Sequence, residues 1–154
     1  MSDLTIRDAT AADLPEVVRL LAQDQMGGED DSPGPPLHAG YVVAFDAIEA
    51  DPNQRLVVAE QNGRIVGTFQ LSYTPGLLFR GGWRATIEAV RVDEIARGQR
   101  IGEAMMRWTI DTCRRRDCRV IQLTSNSARV DAHRFYDRLG FKQSHLGFKM
   151  MLED

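Results

Sequence analysis

Cysteine is scarce in this chain of 154 residues: there are two, Cys113 and Cys118. Two cysteines do not build a disulfide framework, and with His133 or His145 they do not reach a zinc-binding spacing. The expectation is a reducing, cytoplasmic setting, with both thiols free and no metal. Long apolar runs are also missing: none approaches the roughly 20 residues that span a bilayer. The opening MSDLTIRDAT lacks the basic and then apolar layout of a signal peptide. A basic surplus is absent as well, since the formal net charge is -3, so the footprint of a general nucleic-acid binder is not there. Neither Gly-x-Gly-x-x-Gly nor Gly-Lys-Ser/Thr occurs, which argues against a dinucleotide-binding dehydrogenase and a P-loop phosphotransferase. No internal repeat or low-complexity segment stands out.

What is present is an ordinary globular composition, 43% hydrophobic and 27% charged, in a length that suits one domain with a sizeable core. The single domain is expected to span residues 1–154. Leu4 to Arg7 reads as a short strand. Asp13-Leu-Pro-Glu16 predicts a helix start, with Asp13 as the cap, Pro15 in the first turn and Glu16 reaching back. Gln25 to Pro36 is a loop rich in Gly, Pro and acid, and Tyr41 to Ala50 a second helix. Leu56 to Glu60 and Ile65 to Tyr73 alternate as strands, joined by the hairpin signal Asn62-Gly63. Pro75 to Gly82 is a loop and Trp83 to Val92 the next strand. Ile101, Ala104, Met105, Trp108 and Thr112 fall at helical spacing, and Arg114, Arg115 and Arg116 complement that helix's C-terminal dipole. Val120 to Thr124 reads as a buried strand. A helix around Tyr136 follows, and Phe141 to Leu152 supplies one or two final strands.

The most informative stretch is Ile87 to Ala104, IEAVRVDEIARGQRIGEA. A strand there feeds a loop carrying Arg97, Gly98 and Gly102 into a helix N-terminus. The amides of a helix's first turn have no partners inside the helix, and the dipole favours negative charge there. Glycines let the backbone approach a phosphate, and Arg97 and Arg100 add positive charge. The bland reading is a helix cap beside two solvated arginines. About thirty residues on, DAHRFYDRLGF (Asp131 to Phe141) sets Ala132, Phe135, Tyr136 and Leu139 near one helix face, with Gly140 as the stop.

Together these two segments resemble the GNAT superfamily of N-acetyltransferases. In that family Arg/Gln-x-x-Gly-x-Gly/Ala binds the pyrophosphate of acetyl-coenzyme A, and a later Ala-x-x-Phe-Tyr-x-x-x-Gly-Phe helix sets a tyrosine at the thioester sulfur. Ala132, Phe135, Tyr136, Gly140 and Phe141 match the second pattern. Arg97, Gly98, Gly102 and Ala104 match the first, with Arg100 standing where the family usually has glycine. The resemblance implies an α/β GNAT fold, a mixed and mostly antiparallel twisted sheet flanked by helices. It also implies acetyl transfer from acetyl-coenzyme A to a primary amine by direct attack in a ternary complex.

The resemblance also implies site residues. Arg97, Gly98, Gln99, Arg100, Ile101, Gly102 and Glu103 would hold the pyrophosphate. The pantetheine arm would pair along Val90, Arg91 and Val92, and an amide at Val90 or a close neighbour would face the oxyanion where the strand bulges. Asn126 is placed for the pantetheine or adenosine end, and Arg138 for the 3′-phosphate, with a solvated helix arginine as the equal alternative. An attacking amine must be neutral, so a carboxylate or water has to take its proton. Glu88, within an Ile-Glu-x-x-x-Val segment like that of several small-amine acetyltransferases of the family, is the candidate base. The alternative is a strand glutamate facing solvent or pairing with Arg64, Arg84 or Arg91. Tyr136 is the candidate acid for the departing thiolate, against a plain core aromatic. His133 reads as an ordinary half-exposed histidine, and the acidic loop Glu29, Asp30 and Asp31 as solvated. Tyr41, Phe79 and Trp83 are candidate walls of the acceptor pocket. The acceptor is a small-molecule or peptide amine, with no nucleic acid or membrane partner, and a homodimer is compatible. The rival reading is a non-catalytic coenzyme A-binding sensor or interaction module of the same fold.

Overall fold

The computed structural model describes residues 3–23, 25, 30–127 and 129–152. The chain divides into two compact units, residues 1–122 and 123–154. The first holds β1 (Leu4–Asp8), α1 (Leu14–Gln23), α2 (Ala39–Ala50), β2 (Gln54–Gln61), β3 (Arg64–Thr74), the one-turn α3 (Leu78–Gly81), β4 (Trp83–Val92) and α4 (Ile101–Arg115). β5 (Cys118–Leu123) closes it, its last residue Leu123 opening the second unit, which also holds α5 (Val130–Arg138). The sheet order is β1-β2-β3-β4-β5, with antiparallel pairing from β1 through β4.

Local chemistry explains most boundaries. Asn62 and Gly63 both take positive φ, 53° and 76°, which is the two-residue turn whose twist suits a hairpin. The α1 start differs from expectation. Thr10 precedes a short turn over Ala11–Asp13, and its amide donates to the Asp13 carboxylate at 2.8 Å. Asp13 is therefore the residue that reaches back, and it also takes the Arg7 guanidinium at 2.8 Å. Glu16 pairs with Arg19 instead, at 2.7 Å.

The sheet's two faces have different covers. Val57, Phe69, Leu71, Ala85 and Ile87 share one face and are fully buried. There Met105 of α4 lies against Gly67, where an added Cβ would come within 2.7 Å of its sulfur. Trp108 meets Phe69 edge-on, with ring centroids 6.2 Å apart. The apolar face of α4 is Ile101, Met105, Met106, Thr109, Thr112 and Cys113, rotated from the predicted stripe so that Trp108 sits at its margin. On the opposite face Val58 and Ile65 cluster with Leu14, Val17 and Leu20 of α1 and Phe45 of α2.

In the second unit, α5 ends on a glycine stop. The Gly140 amide donates to Asp137 O and the Phe141 amide to Tyr136 O. Gly140 has φ 101°, and the Phe141 ring packs edge-on to Tyr136 at 5.9 Å. This double bond with its apolar clasp is the Schellman arrangement. It gives a physical reason for a glycine and an aromatic four and five residues after Tyr136. The tail corrects one expectation: residues 141–152 form no strand. Leu146, Phe148, Met150 and Leu152 keep a strand-like alternation but are 84%, 98%, 82% and 91% exposed. A strand pattern needs a partner edge, and none of the described pairings includes these residues.

Candidate active site

β4 carries the defining irregularity. Gln70 pairs with Glu88 and Thr68 with Arg91, so Ala89 and Val90 together oppose the single residue Phe69. Ala89 takes φ 53°. One extra residue in a strand breaks the ladder locally and frees backbone groups there. The bulge thus falls where the oxyanion donor was expected, at or beside Val90. Glu88, just before it, is exposed, and forms no ion pair with Arg64, Arg84 or Arg91 among the described residues.

Beyond the bulge, the chain is held by Asp93. Its side chain is 1% exposed. It takes hydrogen bonds from Arg19 Nη2 at 3.1 Å, Gln23 Nε2 at 3.2 Å and the Ile95 amide at 3.2 Å. Burial pushes the Asp93 carboxyl up, but the Ile95 amide, Gln23 and Arg19 together outweigh it and hold it below the usual carboxylate range. Asp93 thereby caps the turn Glu94–Ala96 and ties β4 to α1. Asp93 was not among the site residues expected from sequence. Its local signal is an aspartate placed directly before a turn, but its main partner lies 74 residues away.

The turn delivers the Arg97–Gly102 loop to the start of α4. Val92, Ala96, Arg97, Gly98, Arg100, Ile101 and Gly102 line one depression of about 290 Å³. Gly98 has φ 86°. Arg100 caps α4 in the left-handed region, at φ 60° and ψ 29°. That conformation explains why a glycine would suit position 100: a side chain there costs about 1–2 kcal/mol. The depression combines two arginines with first-turn amides that have no acceptor within the helix, so it fits a pyrophosphate. Gln99 and Glu103 flank it. Glu103 pairs outward with Arg107 at 3.1 Å.

On the face opposite α4, the sheet ends in a polar floor. Gln54 Oε1 accepts from Gln70 Nε2 at 3.0 Å and from Ser72 Oγ at 2.9 Å. Ser72 pairs with Thr86 and Gln70 with Glu88 across β3 and β4. Gln54, Gln70, Ser72 and Thr86 were not among the predicted site residues. Their signal was present as polar residues at every second position, which reads equally well as a solvent face. Trp83, by the same alternation, lies on the other face, where Arg116 stacks between it and Tyr73 at 5.5 Å and 3.7 Å. It is not a wall of the floor. Burial, and then the hydrogen bond that Tyr41 donates to Asp31 at 2.7 Å, raises the Tyr41 phenol, and that bond pins the loop before α2. Glu29 lies outside the described residues.

Asn126, Tyr136 and Arg138 belong to the second unit. The Tyr136 ring sits between Phe135, 5.2 Å away, and Phe141. Arg138 lies over Phe135 at 6.0 Å. His133 Nε2 is bonded to the Asn126 carbonyl at 3.0 Å, a bond that fastens the loop to α5. The two thiols are free. Burial pushes Cys113 up to about 12, which leaves it inert as a nucleophile. Among the described residues no group of three or more His, Cys, Asp or Glu could hold a metal, and no helix is long and apolar enough to cross a membrane.

Residues 15–141 match the acetyltransferase (GNAT) family. The chain belongs to that family. It is similar to the aminoalkylphosphonate N-acetyltransferase of Salmonella typhimurium, with 32% identity over 147 residues, covering 96% of this chain and 90% of that protein. A crystal structure of a transcriptional regulator from Bacillus halodurans C-125 shares 46% identity at a TM-score of 0.93, covering 97% of this chain and 99% of that one. The glucosamine-6-phosphate N-acetyltransferase of Arabidopsis thaliana shares the GNAT fold, with 21% identity, a TM-score of 0.80 and coverage of 97% and 99%. The acyltransferase class, the GNAT fold and the mostly antiparallel sheet expected from sequence therefore hold.

Proposed function

We propose that residues 1–154 form one catalytic domain that transfers the acetyl group of acetyl-coenzyme A to the primary amine of a small acceptor. The observation that carries this reading is the continuous run from Glu88 to Glu103. It sets an exposed carboxylate, a strand bulge and an arginine-flanked helix N-terminus one after another. Glu88 takes the amine proton, directly or through a water. The amine nitrogen then attacks the thioester carbon. The bulge amide at Val90 or its neighbour donates to the developing oxyanion, an interaction typically worth a few kcal/mol. As the tetrahedral intermediate collapses, the C–S bond breaks and Tyr136 supplies a proton to the thiolate. Val90, Arg91 and Val92 line the pantetheine arm, Arg97 to Glu103 the pyrophosphate, and Asn126 and Arg138 the nucleotide end.

The Salmonella relative is named for aminoalkylphosphonates, so amines bearing an acid are the first acceptors to try. The reading includes a cytoplasmic location, which the two free thiols support, and a homodimer, which the exposed apolar tail supports. A panel of amines, scored by thiol release from acetyl-coenzyme A and by product mass, tests it. Acceptor-dependent release, with a product heavier by one acetyl group in place of one hydrogen, is expected for at least one amine. Coenzyme A binding with no release across the panel would favour the sensor module instead, a reading in keeping with the description of the Bacillus structure.

A further inference from the structure

Arg84 has no hydrogen-bond or ion-pair partner among the described residues, and it is set on the floor that also carries Glu88. Strand alternation puts Arg84, Thr86 and Glu88 on one face of β4, since their pairing with Thr74, Ser72 and Gln70 is unbroken. Ala85 and Ile87, between them, are buried against α4 on the other face. The Arg84 Nε is shielded from solvent yet has no hydrogen-bond partner, and Arg84 makes no ion pair among the described residues. A shielded guanidinium nitrogen with nothing to donate to is costly, and each such group asks for a ligand. The segment around it adds charge of the same sign: Pro75 to Ala85 contains Arg80 and Arg84 and no acid.

We propose that Arg84 binds the acidic group of the acceptor, a phosphonate or carboxylate, while Glu88 receives its amine. The inference rests on the acetyltransferase reading above. Four residues of extended strand separate the two Cα atoms by roughly 13 Å at ~3.3 Å per residue. An arginine and a glutamate side chain are long enough to close on that gap from its ends, with room between them for a short aliphatic spacer. Gln70, Ser72 and Thr86 line it with neutral hydrogen-bonding groups that add no competing charge. Guanidinium and phosphonate or carboxylate pair through parallel charge-assisted hydrogen bonds, which a lysine imitates only in part. The acceptor class that follows is a short amino acid analogue with the amine at one end and the acid at the other.

The test compares 2-aminoethylphosphonate with propylamine on wild type, Arg84→Met and Arg84→Lys. Wild type is expected to prefer the phosphonate. Arg84→Met should raise KM for the phosphonate by about 10- to 100-fold, the range of one or two charged hydrogen bonds. It should leave kcat, the KM for acetyl-coenzyme A and all propylamine kinetics near wild type. Arg84→Lys should restore part of the loss. Equal losses for both amines, or unchanged kinetics with the phosphonate, would overturn the assignment. Calorimetry with ethylphosphonate, which has no amine to acetylate, reads the anchor without catalysis. Binding to wild type and not to Arg84→Met upholds the anchor even if no amine is acetylated, and that second outcome would count only against the acetyltransferase reading. Absence of binding to folded wild type, with a normal melting curve, would overturn the anchor.

Discussion

Asp93→Asn removes one buried charge with almost no change of shape, so its cost isolates what the carboxylate does. Asparagine keeps an oxygen for the Ile95 amide, which Asp93 accepts at 3.2 Å. It loses the charged partner of Arg19, 3.1 Å away, and most of the weaker attraction to Arg64 at 3.8 Å. The Arg19 side chain is 25% exposed and keeps Glu16 at 2.7 Å, so it is not stranded. One charge-assisted hydrogen bond is worth about 1.5–3 kcal/mol. Arg64 is half exposed and adds little. The expected loss is therefore about 2 kcal/mol, a fall in Tm of about 4–8 °C for a chain of this size. Asp93→Ala also orphans the Ile95 amide and Gln23, and should cost about 3–5 kcal/mol. Because the folded carboxyl is held below its ordinary value of 3.8, its contribution is complete above that pH and is lost as pH falls through the lower folded value. The gap between wild type and Asp93→Asn should thus be full at pH 7 and shrink below about pH 3.8. Urea denaturation at pH 7 and in steps toward pH 3 measures both. A gap under 0.5 kcal/mol at pH 7, or one that does not narrow in acid, would refute the account. Coenzyme A affinity should fall for Asp93→Ala, because its turn positions Arg97 and Gly98.

Three further outcomes follow from the site. Glu88→Gln should lower turnover most near neutral pH and recover partly at high pH, where more free amine exists, with acetyl-coenzyme A affinity unchanged; wild-type turnover throughout would remove Glu88 from the chemistry. Tyr136→Phe keeps the ring between Phe135 and Phe141, so melting should be normal while single-turnover acetylation drops roughly 10-fold or more; an undiminished rate would leave Tyr136 as a packing aromatic. Arg100→Gly relieves a left-handed side chain and should change stability by less than about 1 kcal/mol, in the favourable direction; a weaker coenzyme A affinity, read by calorimetry, would show that the Arg100 side chain itself meets a phosphate.

The sequence by itself determined what depends on near neighbours in the chain. Period-two alternation marked β2 and β3, Asn62-Gly63 marked their hairpin, and Gly140 marked the end of α5, because these signals act over a few residues. The Glu88-to-Ala104 run was legible for the same reason: strand, loop and helix N-terminus succeed one another without a gap. Tertiary structure decided the rest. Nothing about alanine announces a positive φ at Ala89; the bulge arises only when β4 is registered against Phe69 of β3. Asp93 gains its meaning from Arg19 and Gln23 on a distant helix. Gln54, Gln70, Ser72 and Thr86 read as a wet face until the pairing of β2, β3 and β4 gathers them into one hydrogen-bonded floor. Phe141 to Leu152 reads as one or two strands, but a strand exists only against an edge, and the described pairings give it none. Alternation fixes which side chains share a face; only the pairing of remote segments fixes what that face meets.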